Sequence, residues 1–307
     1  MFRFAIKRVL GAIPTLLLII AITFFMMRLA PGGPFDKERK VTPEVEANLM
    51  RAYHLDEPLW MQFGRYMGNL ARGDFGPSFQ YKDFRVGDLI WSGFPVSLKL
   101  GLSAMVIAFT LGVTVGSMAA LRQNTLADYG AMGLAMTGIA IPNFVMAPVL
   151  TLVFGLYLSW LPVGGWGEGD ISHMVLPIAA LALPQIAVIA RITRGSMIEV
   201  LRSNFVRTAR AKGLPERITL SRHAVKAAML PVVSYLGPWT ANTITGSVII
   251  EQIFGIPGIG RYFVQAALNR DYTLVLGVVI FYGAIIILLN LLVDLIYGWL
   301  DPKVRYD

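Results

Sequence analysis

The side chains able to do covalent, metal or proton chemistry are few and scattered. The 307-residue chain has three histidines, His54, His173 and His223, and no cysteine. A disulfide framework, a thiolate metal site and a thiol nucleophile are therefore excluded. No H-E-x-x-H pair and no G-x-S-x-G elbow occurs, and the histidines fall in three hydrophilic segments far apart, as surface or interfacial residues do. No G-x-x-x-x-G-K-[ST] loop is present to cradle ATP phosphates, so driven work must draw on an ion gradient or on another subunit. What remains is the chemistry of polar groups set into apolar segments. Glu251 and Asp294 are the ionisable ones, each near the end of its run, and Asn242, Thr243 and Asn290 are uncharged. Such groups line or gate a path, or hydrogen-bond one helix to another. This poverty of buried charge weighs against a proton- or sodium-coupled carrier.

The elements that must position these groups follow from composition. The chain is 55% hydrophobic and 15% charged, against about a quarter charged in soluble domains. One soluble core cannot hide that much apolar surface, and the charge is too sparse for disorder. A helix crossing the apolar core of a bilayer needs about 20 residues. Six runs qualify or nearly so: Val9–Met27, Leu100–Leu121, Ala131–Leu161, Met174–Ala190, Ala227–Ile253 and Leu274–Leu300. Pro142 and Pro148 in the third, and Pro177 and Pro184 in the fourth, require neighbours that repair lost backbone hydrogen bonds. The expected fold is an all-α integral membrane protein of six transmembrane helices. Gly112 and Gly116, in GVTVG, have the small-xxx-small spacing that lets helices approach closely.

The net charge of +8 is explained by placement. Arg3, Lys7 and Arg8 precede the first run, which reads as an uncleaved first span because no small-x-small site closes it before Arg28. With that end cytoplasmic, nine basic residues from Arg191 to Lys226 also lie inside, as do Arg122, Lys303 and Arg305. The short outer loops hold only Arg261 and Arg270. Segment 28–95 carries nine basic and nine acidic residues, and long translocated segments follow the positive-inside rule poorly. Both termini are expected inside, and the positive charge reflects topology rather than nucleic-acid binding. The expected division is 1–28 for the N-terminal tail and first span, 29–97 for an extracytoplasmic segment with two helix-like stretches, 98–300 for five further helices, and 301–307 for a cytoplasmic tail.

Within 98–300, the loop 191–228 is the most informative stretch. Two helix-forming pieces, Ser196–Lys212 and Glu216–Met229, flank Gly213-Leu214-Pro215, with glycine placed to end one helix and proline to start the next. Taken alone, this is a basic helix–turn–helix resting on anionic lipid.

The order RTARAKG over 207–213, followed by Leu230-Pro231, resembles the EAA loop of ABC importer permeases, in the form used by the peptide and nickel branch. Arg207 stands where the general motif has Glu. RLAPGGPFD, YHLDEPL, GDFGPSF, GFPVSLKLG, MGLAMTGIAIPNF, IFGIPGIGRYFVQAALNRDY and LVDLIYGWLDPKVRY extend the likeness over nearly the whole chain. Together they are similar to the B-subunit family of oligopeptide and dipeptide permeases.

That resemblance implies a type I ABC importer permease fold and a role as half of a pathway for oligopeptides, in the bacterial inner membrane. It implies a homologous second permease, two cytoplasmic ATPases that bind ATP and Mg, and an extracytoplasmic peptide-binding protein as partners. It gives the chain itself no cofactor, no catalytic residue and no nucleic-acid role. Arg207, Thr208, Ala209, Arg210, Lys212 and Gly213 then match the ATPase-coupling motif, and Asn242, Thr243 and Glu251 are candidates for the path or its gate. Dipeptides, glutathione-like tripeptides or nickel as cargo, and a stand-alone ion-coupled carrier or channel, remain the competing readings.

Overall fold

The computed structural model describes residues 2–29, 43–81 and 83–300. Every described element is helical, apart from one isolated antiparallel bridge between Pro77 and Arg85. The tail 301–307 and residues 30–42 of the expected extracytoplasmic segment lie outside the described residues.

Helix α1 (Phe2–Leu29) is followed by two short helices, α2 (Pro43–Ala52) and α3 (Leu59–Leu70), on the stretches expected to be helical. Helix α4 (Val86–Leu121) is 36 residues long, about 54 Å at 1.5 Å per residue, well beyond a bilayer core of ~30 Å. Residues 86–97, expected in the hydrophilic segment, therefore belong to α4, and they bury Val86, Leu89, Ile90 and Gly93.

The third expected span is not one helix. It forms α5 (Leu126–Ala140) and α6 (Asn143–Leu150), the latter prolonged by a π-helical turn Thr151–Tyr157, with a bend of 104° between the two. The break lies at Ile141-Pro142, where the proline ring drives the preceding residue out of the α region; Ile141 has φ −94° and ψ 116°. Helix α7 (Ile171–Leu201) keeps Pro177 and Pro184 inside it.

The first expected loop helix is also divided. Residues 196–201 finish α7, the chain breaks at Arg202-Ser203, and α8 (Asn204–Ala211) stands separately. From Glu216 the second piece starts as expected but does not stop at Met229. α9 (Glu216–Ile218) and a π-helical turn Thr219–Ala224 lead directly into α10 (Val225–Gly246). A turn at Ser247 opens α11 (Val248–Phe254), followed by α12 (Ile259–Leu268) and α13 (Tyr272–Leu300). By length and composition, α1, α4, α7 and α13 each suffice to cross a membrane, and the two bent groups bring the number to as many as six.

Helix α4 is the mast of this assembly, and α7 lies along it. Contact is so close that a Cβ on Gly112 would meet Ile189 Cβ at 2.7 Å, and one on Gly116 would meet Thr193 Cβ at 2.7 Å and the Ala190 carbonyl oxygen. The GVTVG spacing is therefore a helix-packing face. One core joins α4, α7, α10 and α11 through Leu100, Ala104, Leu181, Ile189, Val232 and Ile250. A second joins α4, α12 and α13 through Ile90, Ile259 and Val278, and a third seats α1 and α3 on α13 through Phe24, Tyr66 and Ile280.

Buried Asp271, just before α13, ties the hydrophilic segment to this frame. One carboxylate oxygen accepts from Leu274 N–H at 3.1 Å and Thr273 Oγ1 at 3.0 Å. The other accepts from Ser78 Oγ at 2.5 Å and from the N–H groups of Phe79 at 3.0 Å and Gln80 at 3.2 Å. The same carboxylate caps a helix and fixes a loop.

Gly116→Val is expected to lower the melting temperature of the detergent-purified chain, at a cost of about 1–3 kcal/mol for overpacking. Gly130→Ala, where a Cβ meets nothing within 4 Å, is expected to be neutral. Equal melting temperatures for the two variants would contradict this packing.

Candidate functional site

Two regions collect the residues singled out from the sequence. The first is α8. Its Val206 and Ala209 are buried, and Val206 joins Met197 of α7, Ala224 of the π-helical turn and Ala228 of α10 in one apolar cluster. Arg207, Thr208, Arg210, Ala211 and Lys212 are exposed on the other side. The helix is thus seated by one face on the end of α7 and on the π-helical turn that leads into α10, and presents a basic face outward.

Its C-terminus is closed by backbone bonds from Gly213 N–H to the Arg210 carbonyl at 2.9 Å and from Leu214 N–H to the Ala209 carbonyl at 3.2 Å. Gly213 sits at φ +77°, the left-handed conformation in which a helix-ending glycine is favoured. Across the turn, Arg210 forks onto Glu216, Nε to Oε2 at 3.1 Å and Nη2 to Oε1 at 2.6 Å, and this hydrogen bond holds the guanidinium pKa above its ordinary value. Thr208 is turned back onto its own helix, donating to the Asn204 carbonyl at 2.9 Å.

At the same end of the molecule, Arg194 of α7 grips buried Asp128 of α5 with both arms, at 2.6 and 2.7 Å. Both pairs are two-pronged, and the burial of Asp128 distinguishes this one from the exposed Arg210–Glu216 pair. It fixes the start of α5 to α7.

The second region is a cavity of about 240 Å³ where the α5–α6 break faces the middle of α7 and the last turns of α10. Asn242 and Thr243 both line it, with Pro142, Asn143, Gln185 and Trp239. Thr243 spends its hydroxyl on the Trp239 carbonyl at 2.7 Å, while Asn242 is exposed. Glu251 is not on this surface. It is fully buried in α11, where its carboxylate accepts from Ser247 Oγ at 2.5 Å and Gly260 N–H at 2.8 Å. Ser97 Oγ of α4 accepts from Ile259 N–H at 2.9 Å.

The opening amides of α12, which have no partner within their own helix, are therefore satisfied by one carboxylate and one hydroxyl. The glycines of GIPGIG make room for them. A Cβ on Gly260 would lie 2.8 Å from Glu251 Oε2, and one on Gly258 would lie 2.6 Å from Ser97 Oγ. Sequence reasoning offered Glu251 for the path or for helix–helix hydrogen bonding; in the structure its carboxylate accepts from Ser247 Oγ and from the Gly260 amide of α12.

Four further residues were missed. Asp271 and Asp128 each precede or open an apolar run in the manner of a helix cap, which is a readable signal. Arg194 was absorbed into the inside charge, and Gln185 looked like an isolated polar residue within a span. Their partners are 66 and 50 residues distant in sequence, and nothing local marks them.

Comparison with known proteins settles the family. Residues 112–306 match the binding-protein-dependent transport system inner membrane component, and residues 1–101 match the N-terminal part of such membrane components. The chain belongs to this permease family. It is 58% identical to the oligopeptide transport system permease protein OppB of Escherichia coli K12, over 100% of both chains. It is 45% identical to the dipeptide transport system permease protein DppB of Bacillus subtilis 168, over 99% of this chain and 98% of that one. It is therefore a permease of the OppB/DppB family, and its place is the bacterial inner membrane. A crystal structure of an amino acid ABC transporter superposes with a TM-score of 0.55 at 18% identity, covering 69% of this chain and 94% of that one. At that identity the likeness establishes a shared ABC permease fold.

Glu251→Ala in this permease leaves the buried Gly260 amide of α12 without its acceptor and is expected to cost about 1–3 kcal/mol. The check is thermal unfolding in detergent, with Asn242→Ala as the comparison. Equal melting temperatures would show that the carboxylate does not hold α12.

Proposed function

We propose that this permease is one half of the membrane pathway of an ATP-driven importer that takes oligopeptides from an extracytoplasmic binding protein. The chain spans six times, with α5–α6 and α10–α12 each counted as one broken span, and both termini are cytoplasmic. The other half is a homologous permease, and two cytoplasmic ATPases bind ATP and Mg, leaving this chain without catalytic residues or a cofactor. The domain division is 1–28, 29–97, 98–300 with coupling loop 191–228, and 301–307.

The observation that carries this reading is the seating of α8. It is a short helix anchored by Val206 and Ala209, closed by Gly213, and clear of the bundle on its basic side. Arg207, Thr208, Arg210 and Lys212 offer that face to an ATPase, Ala209 anchors it, and Gly213 fixes its end. Because α7 runs out of α8 in one direction and α10 follows α9 in the other, a push on α8 reaches both helices at once. Asn242 and Thr243 belong to the path, and Glu251 holds α12 in place. That use of Glu251 also argues against an ion-coupled carrier, which would need the carboxylate free to titrate or bind a cation. Oligopeptide cargo is favoured over dipeptide because the oligopeptide relative is 58% identical and the dipeptide relative 45%.

Gly213→Pro is expected to uncouple the machine, since proline is fixed near φ −65° and cannot occupy +77°. Gly213→Ala, with open space around it, strains the backbone by about 1–2 kcal/mol and should impair coupling partially. In proteoliposomes holding the complete importer, the Pro variant should lose peptide uptake and the stimulation of ATP hydrolysis by loaded binding protein. Normal uptake would contradict the role of α8.

A further inference from the structure

The cavity between the α5–α6 break, α7 and α10 has a chemistry more specific than that of a passage. Three side-chain amides reach its wall, Asn143, Gln185 and Asn242, together with the indole of Trp239, and no charged residue lines it. Gln185 is more than nine-tenths buried, and its Oε1 accepts from the Tyr235 hydroxyl at 3.1 Å. Tyr235 is itself held by a stacked contact with Trp239, ring centroids 5.1 Å apart. Among the described residues, the Gln185 amide nitrogen and the side chains of Asn143 and Asn242 make no hydrogen bond. These donors and acceptors line the cavity and are taken up by no other described residue, so they are available to a molecule that enters.

We propose that this cavity is a binding station for the backbone amides of the peptide in transit. The inference rests on the importer reading. A carboxamide carries one carbonyl and one N–H donor group, the same pair that a peptide unit presents, so each can pair with the main chain whatever side chain follows. The proline-broken backbone at Ile141-Pro142 and the Trp239 ring give the rest of the wall flat apolar surface. A wall without charge neither attracts nor repels acidic or basic side chains, whereas a single charge on it would discriminate between them. The station thus passes peptides by what they have in common. Side-chain preference is left to whatever delivers them.

The test uses proteoliposomes holding the complete importer and alanine pentapeptides with a central alanine, lysine or glutamate. Each variant is compared with wild type for each peptide, which cancels the preference of the binding protein. Asn242→Asp is expected to shift the lysine-to-glutamate uptake ratio by about tenfold. Asn143→Asp repeats the test from the opposite wall, should the first variant fail to assemble. Gln185→Leu is expected to slow all three peptides alike while ATP hydrolysis remains stimulated by loaded binding protein. A pentapeptide with N-methylated central amides, delivered at equal occupancy of the binding protein, should enter more slowly than its parent. Wild type that imports all three peptides, with an unchanged ratio in both Asp variants and no effect of N-methylation, would overturn the station while leaving the importer reading intact. Wild type that imports none would overturn the importer reading itself.

Discussion

The backbone of α7 can lie against α4 only because Gly112 and Gly116 carry no side chain. In a bilayer no hydrophobic drive holds two helices together, since lipid is as apolar as they are, and close packing has to supply it. Much else depends on that contact. Helix α7 carries Gln185 at its middle and hands the chain to α8 at its end, about 24 Å of helix further on. Helix α4 carries Ser97, which shares with Glu251 the opening amides of α12. Register between α4 and α7 therefore sets the position of the cavity wall, of α8 and of the α11–α12 turn together.

Broken helices are the second theme, and buried carboxylates close them. Each helix start, whether within a span or between spans, leaves amides without a partner in their own helix. Glu251 closes the break before α12, Asp271 closes the start of α13, and Asp128 accepts at the start of α5 while held by Arg194. Each carboxylate also binds a second element, so one group does two jobs. The break at Ile141-Pro142 has no such acid. It faces a cavity lined by uncharged amides.

Much of this was legible beforehand. Six apolar runs, the GVTVG face, Gly213 ending one helix and Pro215 opening the next, and the helices flanking Tyr53 are all local patterns, and local patterns survive into the fold. The division of the third run was half visible, because Pro142 marks the break but the angle depends on what α5 and α6 pack against. The extent of α8 was not legible. Nothing between Ser196 and Lys212 forbids a continuous helix, and only the burial of Met197 beneath Val206 shows why the chain turns at Ser203. Glu251 illustrates the same limit. A carboxylate in an apolar run signals importance, while its task is set by Gly258, Gly260 and Ser97, the last of them 154 positions away.

The account makes this chain a lever and half a wall, neither of which works alone. Helices α7 and α10 both run from the α8 turn to the cavity, so displacement at one end is displacement at the other, and the missing wall and the missing motor must come from partners. The direct measurement is native mass spectrometry of the tagged permease drawn in mild detergent from its own membranes. The account predicts one complex containing a second, homologous permease and two P-loop ATPases. Recovery of the chain alone, or only with copies of itself, would contradict it.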